Sequence, residues 1–100
     1  MLIKKSGYTK GDVVTLRLVT GEEVVGKLED ETETDFVLSR PLTLATGRDG
    51  LGFTHPTITG DNKEDFTIQR KHVMLHNLTK EEFKQAYLES TSGIQIAKNI

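Results

Sequence analysis

A glycine in the middle of an otherwise alternating strand constrains this chain more than any other feature. Residues 13–28 read VVTLRLVTGEEVVGKL. Along the first half, Val13, Thr15 and Arg17 fall on one face and Val14, Leu16 and Leu18 on the other, and the second face is the better core candidate. Thr20-Gly21-Glu22-Glu23 forms a tight turn. The next strand, Val24 to Leu28, places Val24, Gly26 and Leu28 on a shared face. Glycine inside a strand marks a sharp bend or a close backbone approach. A bent middle strand is what a small, strongly curved β-barrel needs.

The rest of the chain extends the β pattern. Residues 29–35, EDETETD, hold five carboxylates and read as a solvated turn without the glycine or spacing of a calcium loop. Phe36 to Leu44 reads as a third strand interrupted at Pro41, which cannot donate to a ladder. Residues 46–64 form a long Gly-, Asp- and Thr-rich insertion, with a short strand expected around Phe53 to Thr59 as a hairpin extension. Phe66 to Ile68 start another strand, Gln69 to His72 break it, and Val73 to Leu75 resume it. Thr79-Lys80-Glu81-Glu82 has the form of a capping box, with Phe83, Ala86 and Tyr87 on one helical stripe and Gly93 as a stop. The expected organisation is a barrel over 1–78 and a C-terminal helix and tail over 79–100, packed on or beside it.

Bulk properties narrow the function. One hundred residues with 35% apolar content and no tryptophan make one domain with a modest core, which contact with a second copy would help to stabilise. Cysteine is absent, so no disulfide frame exists and a reducing, cytoplasmic setting is expected. No apolar run reaches the length of a membrane span, and the opening MLIKKSGYTKG is too short for a signal peptide. The net charge of −2 argues against a general coat for duplex DNA, though not against nucleic acid held at a local pocket. Without cysteine, a placeable Ser-His-Asp set or a phosphate-cradling Gly-Lys-Ser/Thr, an enzyme is not expected. His72 and His76 share strand parity but lack a third ligand, and His55 reads as a loop residue. No metal site or cofactor is therefore expected.

Two stretches resemble the Sm-like (LSm/Hfq) family. Its first motif has the form hydrophobic-x-x-Gly-x-x-hydrophobic-x-Gly-x-Leu, which Leu18 to Leu28 fits through Gly21, Val24, Gly26 and Leu28. Arg70-Lys71-His72-Val73 is similar to the Tyr-Lys-His-Ala stretch of the Hfq branch, and Phe36-Val37 to the Phe-Val that opens its third strand. Thr32 stands where the family usually has aspartate, Ile68-Gln69-Arg70 replaces the common Ile-Arg-Gly, and a C-terminal helix replaces the usual N-terminal one. The resemblance therefore implies a divergent, phage-like member.

It implies a mainly β fold: a strongly bent, five-stranded Sm-like (SH3-like) barrel. Pairing of neighbouring edge strands would close a homo-oligomeric ring of about five to seven copies. Such rings bind single-stranded RNA, and single-stranded DNA is a second candidate ligand. Carried over by position, Phe36 is the stacking platform, Asp35 a base-edge or backbone contact, and Lys71 and His72 second-motif contacts. Arg70, in the tyrosine position, is able to stack through its guanidinium plane. Arg40 and Arg48 flank the insertion as secondary contacts. Two other expectations stay open: a structural or protein-interaction ring whose acidic rim rejects nucleic acid, and a monomeric SH3-like adaptor.

Overall fold

The computed structural model describes residues 7–48, 50–57 and 59–92. Six strands form one antiparallel sheet: β1 (Val13–Leu18), β2 (Glu23–Glu31), β3 (Asp35–Gly47), β4 (Gly50–Thr54), β5 (Asp65–Gln69) and β6 (Val73–Leu78). A single 3₁₀ turn, Arg70–His72, joins β5 to β6, and helix α1 (Glu81–Thr91) follows. The spatial order is β4-β3-β2-β1-β6, with β5 on the same side of β3 as β4. β3 thus carries β5 along its first half (Asp35↔Gln69 to Ser39↔Asp65) and β4 along its second (Thr43↔Thr54 to Gly47↔Gly50). The fold is mainly β, as expected, but the five strands expected of a barrel and the extension strand lie in one sheet that does not close into a barrel. The pairing path does not close on itself, since β6 pairs with β1 and β5 with β3.

The sheet register breaks opposite the mid-strand glycine. Between the pairs Val25↔Leu42 and Lys27↔Ser39 the register slips, so that Gly26 opposes both Arg40 and Pro41. This is a β-bulge in β3, and a bulge bends the strand that carries the extra residue and sharpens its twist. A Cβ at Gly26 would lie 3.0 Å from Leu38 Cδ1 and 3.3 Å from Pro41 Cα, so glycine is required by close approach. Arg40 adopts φ 49°, a left-handed conformation that costs a non-glycine residue roughly 1–3 kcal/mol.

The extra residue also reverses which way β3 faces. Phe36 and Leu38 join Val14, Leu16, Val24 and Leu28 in one fully buried cluster, flanked by Tyr8, Leu18, Ile68 and Val73. Past the bulge, Leu42 points to the opposite face and packs with Val13, Val25 and Tyr87. A one-residue shift swaps faces because side chains alternate with period two. The sheet therefore has two apolar faces, and α1 covers the second through Tyr87 and Leu88. Val13 is buried although it belongs to the face expected to be outward.

Tyr87 seals the bulge. Its hydroxyl accepts the Lys27 N–H at 3.2 Å and lies 2.9 Å from the carbonyl oxygens of both Ser39 and Arg40, to which it donates. Backbone groups released by the broken ladder thus find partners out of water. Burial pushes the Tyr87 hydroxyl up to about 12.

Three local expectations are corrected. The acidic run is not all turn: β2 continues to Glu31, because Asp30↔Val37 and Glu31↔Phe36 pair across the sheet. The helix starts at Glu81, with Lys80 at the cap position and no side-chain capping bond. Thr79 is otherwise engaged, its N–H donating to Val13 O at 3.1 Å and its hydroxyl lying 2.8 Å from that of Thr15. Of the short strand expected around Phe53 to Thr59, only Phe53 and Thr54 belong to β4. The helix stop expected at Gly93 lies outside the described residues.

Candidate nucleic-acid interface

The start of β3 and the end of β5 meet in a register that brings distant polar residues together. Asp35 pairs directly with Gln69, and the Arg70 N–H donates to Thr34 O at 2.8 Å. This zips the β2–β3 turn onto the 3₁₀ turn. The result is a cleft of about 460 Å³ lined by Glu33, Thr34, Asp35, Gln69, Arg70 and Lys71.

The turn itself is held by Thr32. Its hydroxyl accepts the Thr34 N–H at 3.2 Å and the Asp35 N–H at 3.0 Å, while its own N–H donates to Asp35 O at 2.9 Å. Asp35 Oδ2 accepts the Thr34 hydroxyl at 2.9 Å. Thr32 therefore has a structural task, organising the turn that presents Asp35.

Arg70 is the most constrained side chain of the cleft. Its guanidinium carbon sits 4.5 Å from the centroid of the Phe36 ring, a cation–π arrangement. Nη1 donates to Glu31 Oε2 at 2.8 Å. The ion pair is partly shielded, with side chains 31% and 19% exposed, so it fixes the guanidinium more firmly than a surface pair would. Behind it, Tyr8 and His76 complete an aromatic cluster. The Tyr8 hydroxyl and His76 Nδ1 lie 2.8 Å apart, and the His76 ring centroid is 5.3 Å from that of Phe36. Burial first, and then the charge of Glu31, hold the Tyr8 hydroxyl above its ordinary value, with Arg70 opposing.

The sequence-predicted residues are partly gathered and partly scattered. Asp35, Arg70 and Lys71 line the one cleft. Phe36 adjoins it but is fully buried, because it shares the inward face with Leu38. Its ring is core and carries Arg70 instead of lying open to a base. His72 is exposed on the 3₁₀ turn, where its carbonyl accepts the Val19 N–H at 2.8 Å. Arg40 is at the bulge, its Nη1 donating to Thr91 O at 2.7 Å, which satisfies a carbonyl at the helix C-terminus. Arg48 is exposed at the tip of the β3–β4 hairpin, between Gly47 and Gly50.

Sequence reasoning misses Glu31, Glu33, Thr34 and Gln69 as site residues. Gln69 and Thr34 carry a weak signal, each adjoining a predicted site residue. Glu31 and Glu33 are hidden in a run that reads as uniformly solvated.

The chain matches no protein-family model and no curated protein.

Proposed function

We propose that this chain is a divergent Sm-like subunit that assembles into a homo-oligomeric ring and binds single-stranded RNA, or single-stranded DNA, without doing chemistry. The cleft carries the reading: Asp35, Arg70 and Lys71, singled out by resemblance alone, converge with Thr34 and Gln69 around a space large enough for a nucleobase. The stacking role moves from Phe36 to Arg70, whose guanidinium rests on the Phe36 ring and offers a base its outer side. Lys71 is exposed and supplies a mobile positive charge for phosphate.

Edge-to-edge assembly is supported by β6. Met74, Leu75 and Leu78 are 58%, 61% and 54% exposed on a strand whose one sheet partner among the described residues is β1. An apolar edge of that kind invites a further strand. The mass in solution by light scattering is then a multiple of the 11.2 kDa chain. A mass of one chain supports the monomeric adaptor reading instead.

Fluorescence anisotropy with labelled oligo-U and oligo-A at two salt concentrations tests binding. The account expects affinity that falls with salt. Arg70→Lys, which retains charge but loses the planar group, weakens binding about fivefold or more at both salt concentrations.

A second reading, a protein-interaction or structural ring, draws on the charge balance of the cleft. Glu33 and Asp35 line it beside Arg70 and Lys71, and Arg70 is already paired with Glu31. That reading predicts no oligonucleotide binding at micromolar protein.

A further inference from the structure

Resting on the nucleic-acid reading of the cleft, we propose that the base it recognises is guanine, with Asp35 the specificity-determining residue. The cleft has mixed polarity: Glu33 and Asp35 supply acceptors, and Arg70 and Lys71 supply donors. Asp35 is held for such a task. Its backbone N–H and carbonyl are both bonded to Thr32, and its Oδ2 accepts the Thr34 hydroxyl. Oδ1 has no hydrogen-bond partner among the described residues. A carboxylate accepts only, and each of its oxygens has room for two hydrogen bonds.

The four bases present different patterns to such a group. Uracil offers two carbonyls around a single N–H, so a carboxylate facing its edge meets two like-charged oxygens. Adenine offers one amino group flanked by the ring-nitrogen acceptors N1 and N7, and cytosine one amino group beside the acceptor N3. Guanine alone places two adjacent donors, N1–H and the N2 amino group, beside two adjacent acceptors, O6 and N7. The donors match the Asp35 carboxylate, and the acceptors match the exposed Lys71 ammonium. Repulsion between the carboxylates and a uracil edge gives discrimination as much as the attraction to guanine does.

The test is an anisotropy titration with a labelled uridine hexamer whose fourth base is U, G, A or C, together with competition by 5′-GMP and 5′-UMP. Wild-type protein binds the G-containing strand at least about fivefold tighter than the other three. Asp35→Asn, which is isosteric and leaves the Thr32 backbone contacts in place, brings all four strands within about twofold while binding persists. Displacement by 5′-GMP but not 5′-UMP identifies the free nucleotide as a sufficient ligand. A preference seen only within the hexamer identifies the strand as the ligand. Equal, salt-sensitive binding of all four strands overturns the guanine assignment and leaves the nucleic-acid site standing. A guanine preference that survives in Asp35→Asn overturns the role of Asp35. No binding of any strand or nucleotide overturns both the assignment and the reading on which it rests.

Discussion

The two halves of β3 meet irregular structure in opposite ways. Near its middle, the bulge at Arg40 and Pro41 breaks the ladder, and α1 supplies partners for the backbone groups around it. The Tyr87 hydroxyl takes the Lys27 N–H and the Ser39 and Arg40 carbonyls, and Arg40 caps Thr91. At its start, the Thr32–Thr34 turn is just as firmly held by backbone bonds. There, however, Glu33, Asp35, Gln69 and Lys71 are left around an open cleft. A distortion whose polar groups are all answered from within serves the fold. One that is rigid in its backbone but open in its side chains is where a ligand would be met.

This contrast can be broken most severely at the closed end. Tyr87→Ala removes a fully buried ring and its bonds, and should lower the unfolding free energy by about 3–5 kcal/mol in urea denaturation. Gly26→Val forces a side chain against Leu38 and the Pro41 backbone, with an expected loss of about 1–3 kcal/mol in the same measurement.

Tyr87→Phe keeps the ring and sharpens the comparison through pH. The hydroxyl is raised from 10.0 to about 12 in the folded protein, so the neutral form is favoured there. Its stabilisation is complete below pH 10, where an unfolded tyrosine keeps its proton, and is lost as the pH rises toward about 12. Tyr8, shifted the same way, adds in the same direction. Chemical denaturation between pH 8 and 12 should show this alkaline decline in the wild type and a shallower one in Tyr87→Phe. The variant should also lose about 1–3 kcal/mol at neutral pH, because the Lys27 N–H loses its acceptor.

The smallest effect belongs to the open end. Lys71→Ala, at an exposed position, should change stability by less than about 0.5 kcal/mol while weakening oligonucleotide binding and reducing its salt dependence. Loss of stability without loss of binding would reverse the assignment of the two ends.

Much of this was legible in the sequence, for reasons that can be named. The special place of Gly26 was, because a glycine within an alternating run marks a bend or a close approach. The inward face of β1 and β2 was, because Val14, Leu16, Val24 and Leu28 keep strict parity. The direction of β3 beyond Pro41 was not, since one inserted residue reverses every later side chain and the insertion is visible only in the register. The capping box at Thr79 failed through competition, as its hydroxyl lies against Thr15 across the sheet.

For the cleft, Asp35, Arg70 and Lys71 could be found from motif position. Phe36 illustrates the limit, because its parity with Leu38 places the ring in the core and leaves the exposed position to Arg70. Arg40 could not be read as a helix cap without knowing that α1 returns to the bulge, 51 residues along the chain.

Hydrogen–deuterium exchange with and without a saturating single-stranded oligonucleotide tests the central claim most directly, because it reports on both ends of β3 at once. The account predicts added protection at residues 32–36 and 69–72, with the segment around Ser39 to Leu42 unchanged. Protection at the bulge and α1 instead, or none at either end under conditions where oligonucleotide is bound, would contradict it.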